Sequence, residues 1–302
     1  MADAIHGPVT GPDGSDLPDS INRYEERQMT MTATPKTSAH IQSGEANGRI
    51  WGARAADWAA IQEPQCAPAY HAVFDKAVIG SETRLLDAGC GAGMALRLAA
   101  DLGAEVAGID ASAALLEVAR GRHPKATFAL GDLEELPFDS DSFDVVTGFN
   151  SFQYAADPIM ALQEARRVTR PGGKVFVMTW GEPDGMEAAA LVAALKPLLP
   201  PPPPGAAGPF ALSETDKLEA LATSAGLTAQ EVFDVNAPWR YPDLATAQKG
   251  LGSSGVAVKA AEINGQAALD DAHAKALAAF RQPDGSYVIG ATFRVLMAGV
   301  AL

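Results

Sequence analysis

From Arg84 onward, short apolar runs alternate with segments whose apolar residues recur at three- and four-residue steps. The first pattern predicts buried strands and the second predicts amphipathic helices. Strands are expected at 84–88, 105–109, 126–130, 143–149 and 174–180, with helices at 92–102, 112–121 and about 157–168 between them. Such alternation implies an α/β fold, a mostly parallel sheet with helices on both faces. The Arg170-Pro171-Gly172-Gly173 stretch breaks the third helix before the fifth strand.

The flanks are less regular. Residues 1–40 are rich in Gly, Pro, Asp, Ser and Thr. They bury too little apolar surface to offset ordering entropy, so a disordered tail is expected. Met29 and Met31 follow as alternative starts. A helical pattern begins near Ile50, with Trp51, Ala55, Trp58 and Ile61 at helical steps. Pro64 and Pro68 interrupt it, and Tyr70 to Phe74 resume a helix up to Gly80. Beyond Trp180 come an apolar helix at 186–199 and a stiff run from Pro200 to Pro204, read as a spacer or as a ligand for a partner domain. A helix at 214–225, a strand at 228–235, an Ala-rich helical segment at 243–282 and a last strand at 287–298 complete the chain. The expected organisation is therefore a tail at 1–40, lid helices at 41–80 and a ligand-binding core at 81–180. Residues 181–302 complete the sheet and supply helical caps at about 181–212 and 243–282.

Net charge narrows the function. Twenty-three Lys and Arg stand against 37 Asp and Glu, a formal charge of −14 over 302 residues. Nucleic acid is a poor partner for so acidic a chain. Two cysteines, Cys66 and Cys90, exclude a disulfide framework, and no metal-ligand spacing occurs. No leader or apolar run of about 20 residues is present, so the expectation is a cytoplasmic protein with no membrane contact. Nothing in the sequence argues for an oligomer, although none is excluded.

The chemistry centres on Leu86-Asp87-Ala88-Gly89-Cys90-Gly91-Ala92-Gly93. An acid ends the first strand, and glycines recur at every second position. Glycine allows unusual backbone angles and close approach of a ligand to main-chain N–H groups. The dinucleotide fingerprint G-x-G-x-x-G needs a third Gly where Met94 stands, which argues against a nicotinamide oxidoreductase. A phosphate loop would need Gly-Lys-Ser/Thr, which is absent. Asp110 ends the second strand about 20 residues on, placed to accept ribose hydroxyls or to cap the next helix. Asp132 follows the third strand, with Leu133 beside it. Asn150 and the loop to Tyr154 follow the fourth strand, at the carboxyl ends where open α/β sheets bind ligands.

Taken in order, these signals over residues 84–180 resemble the class I S-adenosylmethionine-dependent methyltransferases, in the branch that acts on small molecules. The Gly131-Asp132-Leu133-Glu134-Glu135-Leu136-Pro137-Phe138 stretch is especially similar. The resemblance implies a Rossmann-like seven-stranded sheet with the final strand antiparallel, and S-adenosyl-L-methionine as cofactor. It implies that Asp87, Gly89, Gly91 and Gly93 hold the methionine part, Asp110, Ala111 and Ser112 the ribose, and Asp132 and Leu133 the adenine. Asn150 would border the amino acid. Trp51 to Trp58 resemble the helix that closes over the cofactor, with Trp58 either facing the sulfonium by cation–π attraction or packing the helix.

The implied activity is methyl transfer to O, N or C of a small, largely apolar acceptor. The alternative is a binding module or partner subunit that keeps the cofactor without turnover. A proton acceptor is needed only for some acceptors; His71, Tyr154, Tyr70 and His273 are candidates, and Gln153 is expected to contact the acceptor because it has no apolar core role. A metal-dependent mechanism is disfavoured.

Overall fold

The computed structural model describes residues 43–201 and 208–302. The expected tail at 1–40 and the Pro202–Pro204 part of the proline run lie outside the described residues. The described strands are β1 Arg84–Ala88, β2 Glu105–Asp110, β3 Thr127–Leu130, β4 Phe143–Phe149, β5 Thr169–Trp180, β6 Thr228–Asn236, β7 Trp239–Tyr241, β8 Tyr287–Ile289 and β9 Thr292–Gly299. One seven-stranded sheet has the order β3-β2-β1-β4-β5-β9-β6. β1 to β5 pair in parallel, and β9 runs antiparallel to both β5 and β6.

The position of β1 inside the sheet explains its burial. Every residue after Arg84 is buried, and successive side chains point to opposite faces. Leu85 packs with Phe74 and Leu96 on one face, and Leu86 with Val146 and Leu162 on the other. Two of the core helices start on side-chain caps. Ser112 Oγ accepts from the N–H of Leu115 to begin α4 (Ala113–Arg122), after α1 (Gly44–Gly52), α2 (Ala67–Ala77) and α3 (Met94–Asp101). Asp157 accepts from Ile159 and Met160 N–H, with Pro158 in the first position of α5 (Pro158–Val168).

Several boundaries differ from expectation for physical reasons. α1 begins at Gly44, ahead of Ile50, because its glycines carry no apolar periodicity to read. β5 begins at Thr169, where it pairs with Phe143; the Pro171-Gly172-Gly173 stretch then bulges, with Gly172 at φ 74°, before pairing resumes at Lys174. The expected helix at 186–199 is shorter: α6 covers Glu187–Ala193, and Pro197 lies in a separate tight turn, Lys196–Leu198. After α7 (Thr215–Ser224) and β6, the last strand is split. β8 leaves the sheet to pair with β7, and β9 alone completes it. Between β7 and β8 lie α8 (Leu244–Gly252), α9 (Gly255–Asn264) and α10 (Gln266–Leu277). No described helix is long and apolar enough to cross a membrane.

Candidate active site

Two clefts meet at the carboxyl ends of the strands. The first is lined by residues from the ends of β1, β2, β3 and β4 and by α1. Its floor is the turn after β1. Gly89, Gly91 and Gly93 all have left-handed backbone, at φ 83°, 53° and 79°. At Gly89 and Gly93 a side chain is excluded as well as disfavoured. A Cβ on Gly89 would lie 2.3 Å from Ser151 Cβ, and one on Gly93 would lie 2.8 Å from Ala119 Cβ in α4. The N–H groups of Gly89 and Cys90 donate to the Ile109 carbonyl at 2.8 and 2.9 Å, which ties the turn to β2.

Asp110 closes the next side. Its carboxylate accepts from Gly91 N–H and from Ser112 N–H, both at 2.8 Å. It therefore braces the glycine turn and the start of α4 together. Burial pushes its carboxyl up, against the pull of these backbone donors. Asp132 accepts from Glu134 N–H at 3.1 Å and from Gly44 N–H at 2.6 Å. The second contact brings the N-terminus of α1 onto the residue expected to meet adenine.

Of the residues singled out in the sequence, Trp58, Gly89, Gly91, Asp110, Ala111, Asp132, Leu133, Asn150 and Tyr154 line this cleft. Asp87, Gly93 and Ser112 do not. Gly93 is the αL residue that starts α3, and Ser112 is a buried cap. Asp87 lies behind the turn, 2% exposed, and accepts from Thr147 Oγ at 2.8 Å. Burial raises its carboxyl to about 7.

That shift has a sign. A carboxyl raised from an ordinary 3.8 contributes stability that is present below pH 3.8 and lost as pH rises through about 7. Asp87→Asn keeps an oxygen for Thr147 and removes the titration. Relative to the parent, the variant should gain stability from pH 5 to about pH 7 and level off above it in urea unfolding; a constant difference would show that Asp87 is ionised throughout.

The second cleft lies under the cap. Its walls come from the end of β5 (Trp180), from β7 (Trp239), from α6 (Leu191) and from α10 (His273). Trp51, Trp58, Asn150 and Tyr154 line both clefts and form their common wall. Trp51 meets Trp58 edge-on at 5.1 Å between ring centroids and Tyr154 at 5.5 Å. Burial pushes the Tyr154 hydroxyl up to about 12, so it is un-ionised at neutral pH.

The candidate catalytic residues fall in different places. His71 is exposed on α2 and lines neither cleft. Gln153 is 1% exposed and also lines neither. Its amide nitrogen donates to Asn150 Oδ1 at 3.0 Å, so it orients Asn150 from behind. Asn150 is held at φ 56°, a left-handed conformation that Asn tolerates better than most side chains. His273, on α10, is the histidine that reaches the second cleft. Burial lowers its imidazole to about 4, so the ring is neutral at pH 7. Among the described residues, no group of three or more His, Cys, Asp or Glu is placed to hold a metal ion.

Sequence reasoning missed the underside of α1. Gly44, Gly48 and Gly52 recur every fourth residue and face the strand ends. A Cβ on Gly48 would lie 2.1 Å from the Ala111 carbonyl oxygen. The four-residue glycine spacing was the available signal. Also missed was the Glu63–Arg122 pair. Arg122 bonds the Glu63 carboxylate and donates to the carbonyls of Ala92 and Ala59 at 2.9 and 2.6 Å, while Glu63 accepts from Met94 N–H at 3.2 Å. This pair fastens the lid segment to the glycine turn.

Comparison with known proteins fits this layout. The protein family described as "Methyltransferase domain" matches residues 86–177, which hold the glycine turn, Asp110, Asp132 and Asn150. The chain contains a class I S-adenosylmethionine-dependent methyltransferase domain. Demethylmenaquinone methyltransferase of Renibacterium salmoninarum is 39% identical over 100 residues, covering 33% of this chain and 42% of that protein. Malonyl-[acyl-carrier protein] O-methyltransferase of Serratia marcescens is 38% identical over 96 residues, covering 32% and 38%. The chain thus spans less than half the length of these relatives. Among solved structures, the YcgJ protein of Bacillus subtilis has a TM-score of 0.54 at 21% identity, over 77% of this chain and 98% of that one. The [4+2]-cyclase SpnF has a TM-score of 0.50 at 21% identity over 78% and 80%. Those two likenesses establish the fold alone.

The methyltransferase domain's first cleft suits the family's cofactor, S-adenosylmethionine. No Lys or Arg is among its described lining residues, so it offers no cation to a phosphate. Asp110 and Asp132 instead present carboxylate oxygens, each with acceptor capacity beyond one backbone donor. The bare glycine floor leaves room for close approach. A nucleoside rich in hydroxyl and amine donors, and positively charged, matches that donor and acceptor set.

Proposed function

We propose that this chain transfers the methyl group of S-adenosylmethionine to O, N or C of a small, largely apolar molecule. The observation that carries this reading is the common wall of Trp51, Trp58, Asn150 and Tyr154. It separates an acceptor-rich cleft that fits the cofactor from an apolar chamber with no charged residue in its described lining. The cofactor, when bound, supplies an already activated methyl group.

The residues of the chain then have positioning work. Asp110 receives the ribose hydroxyls while holding the glycine turn. Asp132 and Leu133 border the adenine. Asn150, fixed by Gln153, borders the amino acid part. Trp51, Trp58 and Tyr154 exclude water where the two ligands meet and favour a cation by their ring faces. Proximity and orientation of this kind can lower a barrier by up to about 7–11 kcal/mol. A lid at 41–80 would close over the cofactor, and caps from about 181–212 and 243–282 would enclose the acceptor.

Isothermal titration with S-adenosylhomocysteine tests the reading. Binding by the folded chain is expected, with Asp110→Ala weakening it at least tenfold, about 1.4 kcal/mol. No binding by a folded sample would sink the proposal. Binding without methyl transfer across a panel of phenols, indoles and amines would favour a module that only binds the cofactor. The fold is compatible with either outcome.

A further inference from the structure

Gln62 stands at the wall of the second cleft as a buried amide with one end unused. It is 6% exposed and lines that cleft but not the first. It ends a single π-turn, Trp58–Gln62, in which Glu63 N–H reaches back to the Trp58 carbonyl. Such turns are rare and recur at functional sites. This one serves three places at once. Trp58 borders both clefts, Gln62 borders the second, and Glu63 accepts from Met94 N–H beside the glycine turn.

A side-chain amide has an accepting end and a donating end. Here the accepting end is taken. The Tyr241 hydroxyl donates to Gln62 Oε1 at 2.7 Å. Tyr241 is 1% exposed on β7 and lines neither cleft, and burial pushes its hydroxyl well up, so it keeps its proton. That proton has no other acceptor among the described residues, and turning the amide over would strand it. α8 closes the same side: a Cβ on Gly250 would lie 3.2 Å from Gln62 Oε1 and 3.1 Å from Tyr241 Cε1. The other end, Nε2, bonds to no described residue, yet it is not sealed from solvent as the indole nitrogens of Trp180 and Trp239 are. Two N–H donors are therefore held, unpaired, at the wall of the cleft that Gln62 lines.

Charge limits what they can receive. No Asp, Glu, Lys or Arg is among the described residues lining this cleft. A carboxylate or phosphate would meet the amide without a counter-ion and lose its hydration. A group with only N–H or O–H hydrogens to offer would meet two donors and find no lone pair. A neutral lone pair satisfies both conditions.

We infer that Gln62 sets the specificity of the second cleft: its amide N–H groups, oriented by Tyr241, receive an uncharged hydrogen-bond-accepting oxygen or nitrogen on an otherwise apolar molecule. The inference deepens the methyltransferase reading, on which it rests for calling that molecule the methyl acceptor.

Quinoline, naphthalene and indole are bicyclic probes of similar size that offer a lone pair, no polar group and an N–H donor. They suit the ring-lined wall of Trp51, Trp180, Trp239 and Phe293. Each is titrated at neutral pH into the full chain, with and without saturating S-adenosylhomocysteine. Gln62→Met keeps the length of the side chain and removes the amide. It should lower the quinoline-to-naphthalene affinity ratio at least about fivefold, the worth of one hydrogen bond, and leave the indole-to-naphthalene ratio unchanged. Tyr241→Phe keeps the amide but frees its oxygen, so the quinoline ratio should fall by less. If Gln62→Met does not fold because the Tyr241 hydroxyl is stranded, the Gln62→Met, Tyr241→Phe double variant removes both partners and gives the same reading. A quinoline ratio unchanged by either substitution, an equal fall for indole, or no binding of any probe by the parent would overturn the inference. Failure of S-adenosylhomocysteine to bind would instead count against the methyltransferase reading, and the ratios measured without it would still decide the role of Gln62.

Discussion

Glu63→Ala should destabilise the fold by about 3 kcal/mol or more, the cost of stranding a charge when one partner of a buried pair is removed. Glu63 is 2% exposed, and Arg122 reaches it from the end of α4 with its side chain 28% exposed. Burial pushes the Glu63 carboxyl up, and the guanidinium opposes that rise. Removing the carboxylate leaves Arg122 with only the two carbonyls it bridges, and leaves Met94 N–H without its acceptor. Urea unfolding at constant slope measures the loss. A Glu63→Met, Arg122→Met double variant should recover much of it, because two apolar side chains of similar volume leave no charge stranded. A loss below about 1 kcal/mol in the single variant would place the pair among ordinary surface ion pairs.

Gly48→Ala should weaken S-adenosylhomocysteine binding at least tenfold, about 1.4 kcal/mol. The added Cβ has no room, since the obstacle 2.1 Å away is the backbone oxygen of Ala111 and no side-chain rotation relieves it. α1 must rise off the ends of β2 and β3. Yet Ala favours helix over Gly by up to about 1 kcal/mol, so α1 itself becomes a better helix. The variant thus separates two effects: circular dichroism should show undiminished helix while cofactor affinity falls. Unchanged affinity would mean that the seating of α1 on Ala111 has no part in holding the ligand.

Much of this architecture was legible in the sequence. β1, β2 and β4 and their helices announced themselves because buried parallel strands are largely apolar runs, and because Ser112 and Asp157 are strong caps. The glycine turn was legible because only glycine fits beside Ser151 and Ala119. Other features were hidden by the same physics. The start of α1 was invisible because Gly44 and Gly48 remove the apolar signal that periodicity depends on. β7 and β8 are three residues each, too short for alternation to register. Gln153 was read as a contact because its side chain is polar, but burial and one hydrogen bond to Asn150 place it behind the wall. His71 and His273 both stand on helices, and no pattern in the sequence said which of them would face a cleft.

The shared wall has a consequence for both clefts. Trp51 rides on α1, borders both clefts and packs against Gly255 at the start of α9, where a Cβ would come within 3.0 Å of its ring. The same helix is pinned at its N-terminus to Asp132. Any swing of α1 that frees the nucleoside end of the first cleft also withdraws an indole from the second. A displacement of α1 at either cleft would therefore be felt at the other.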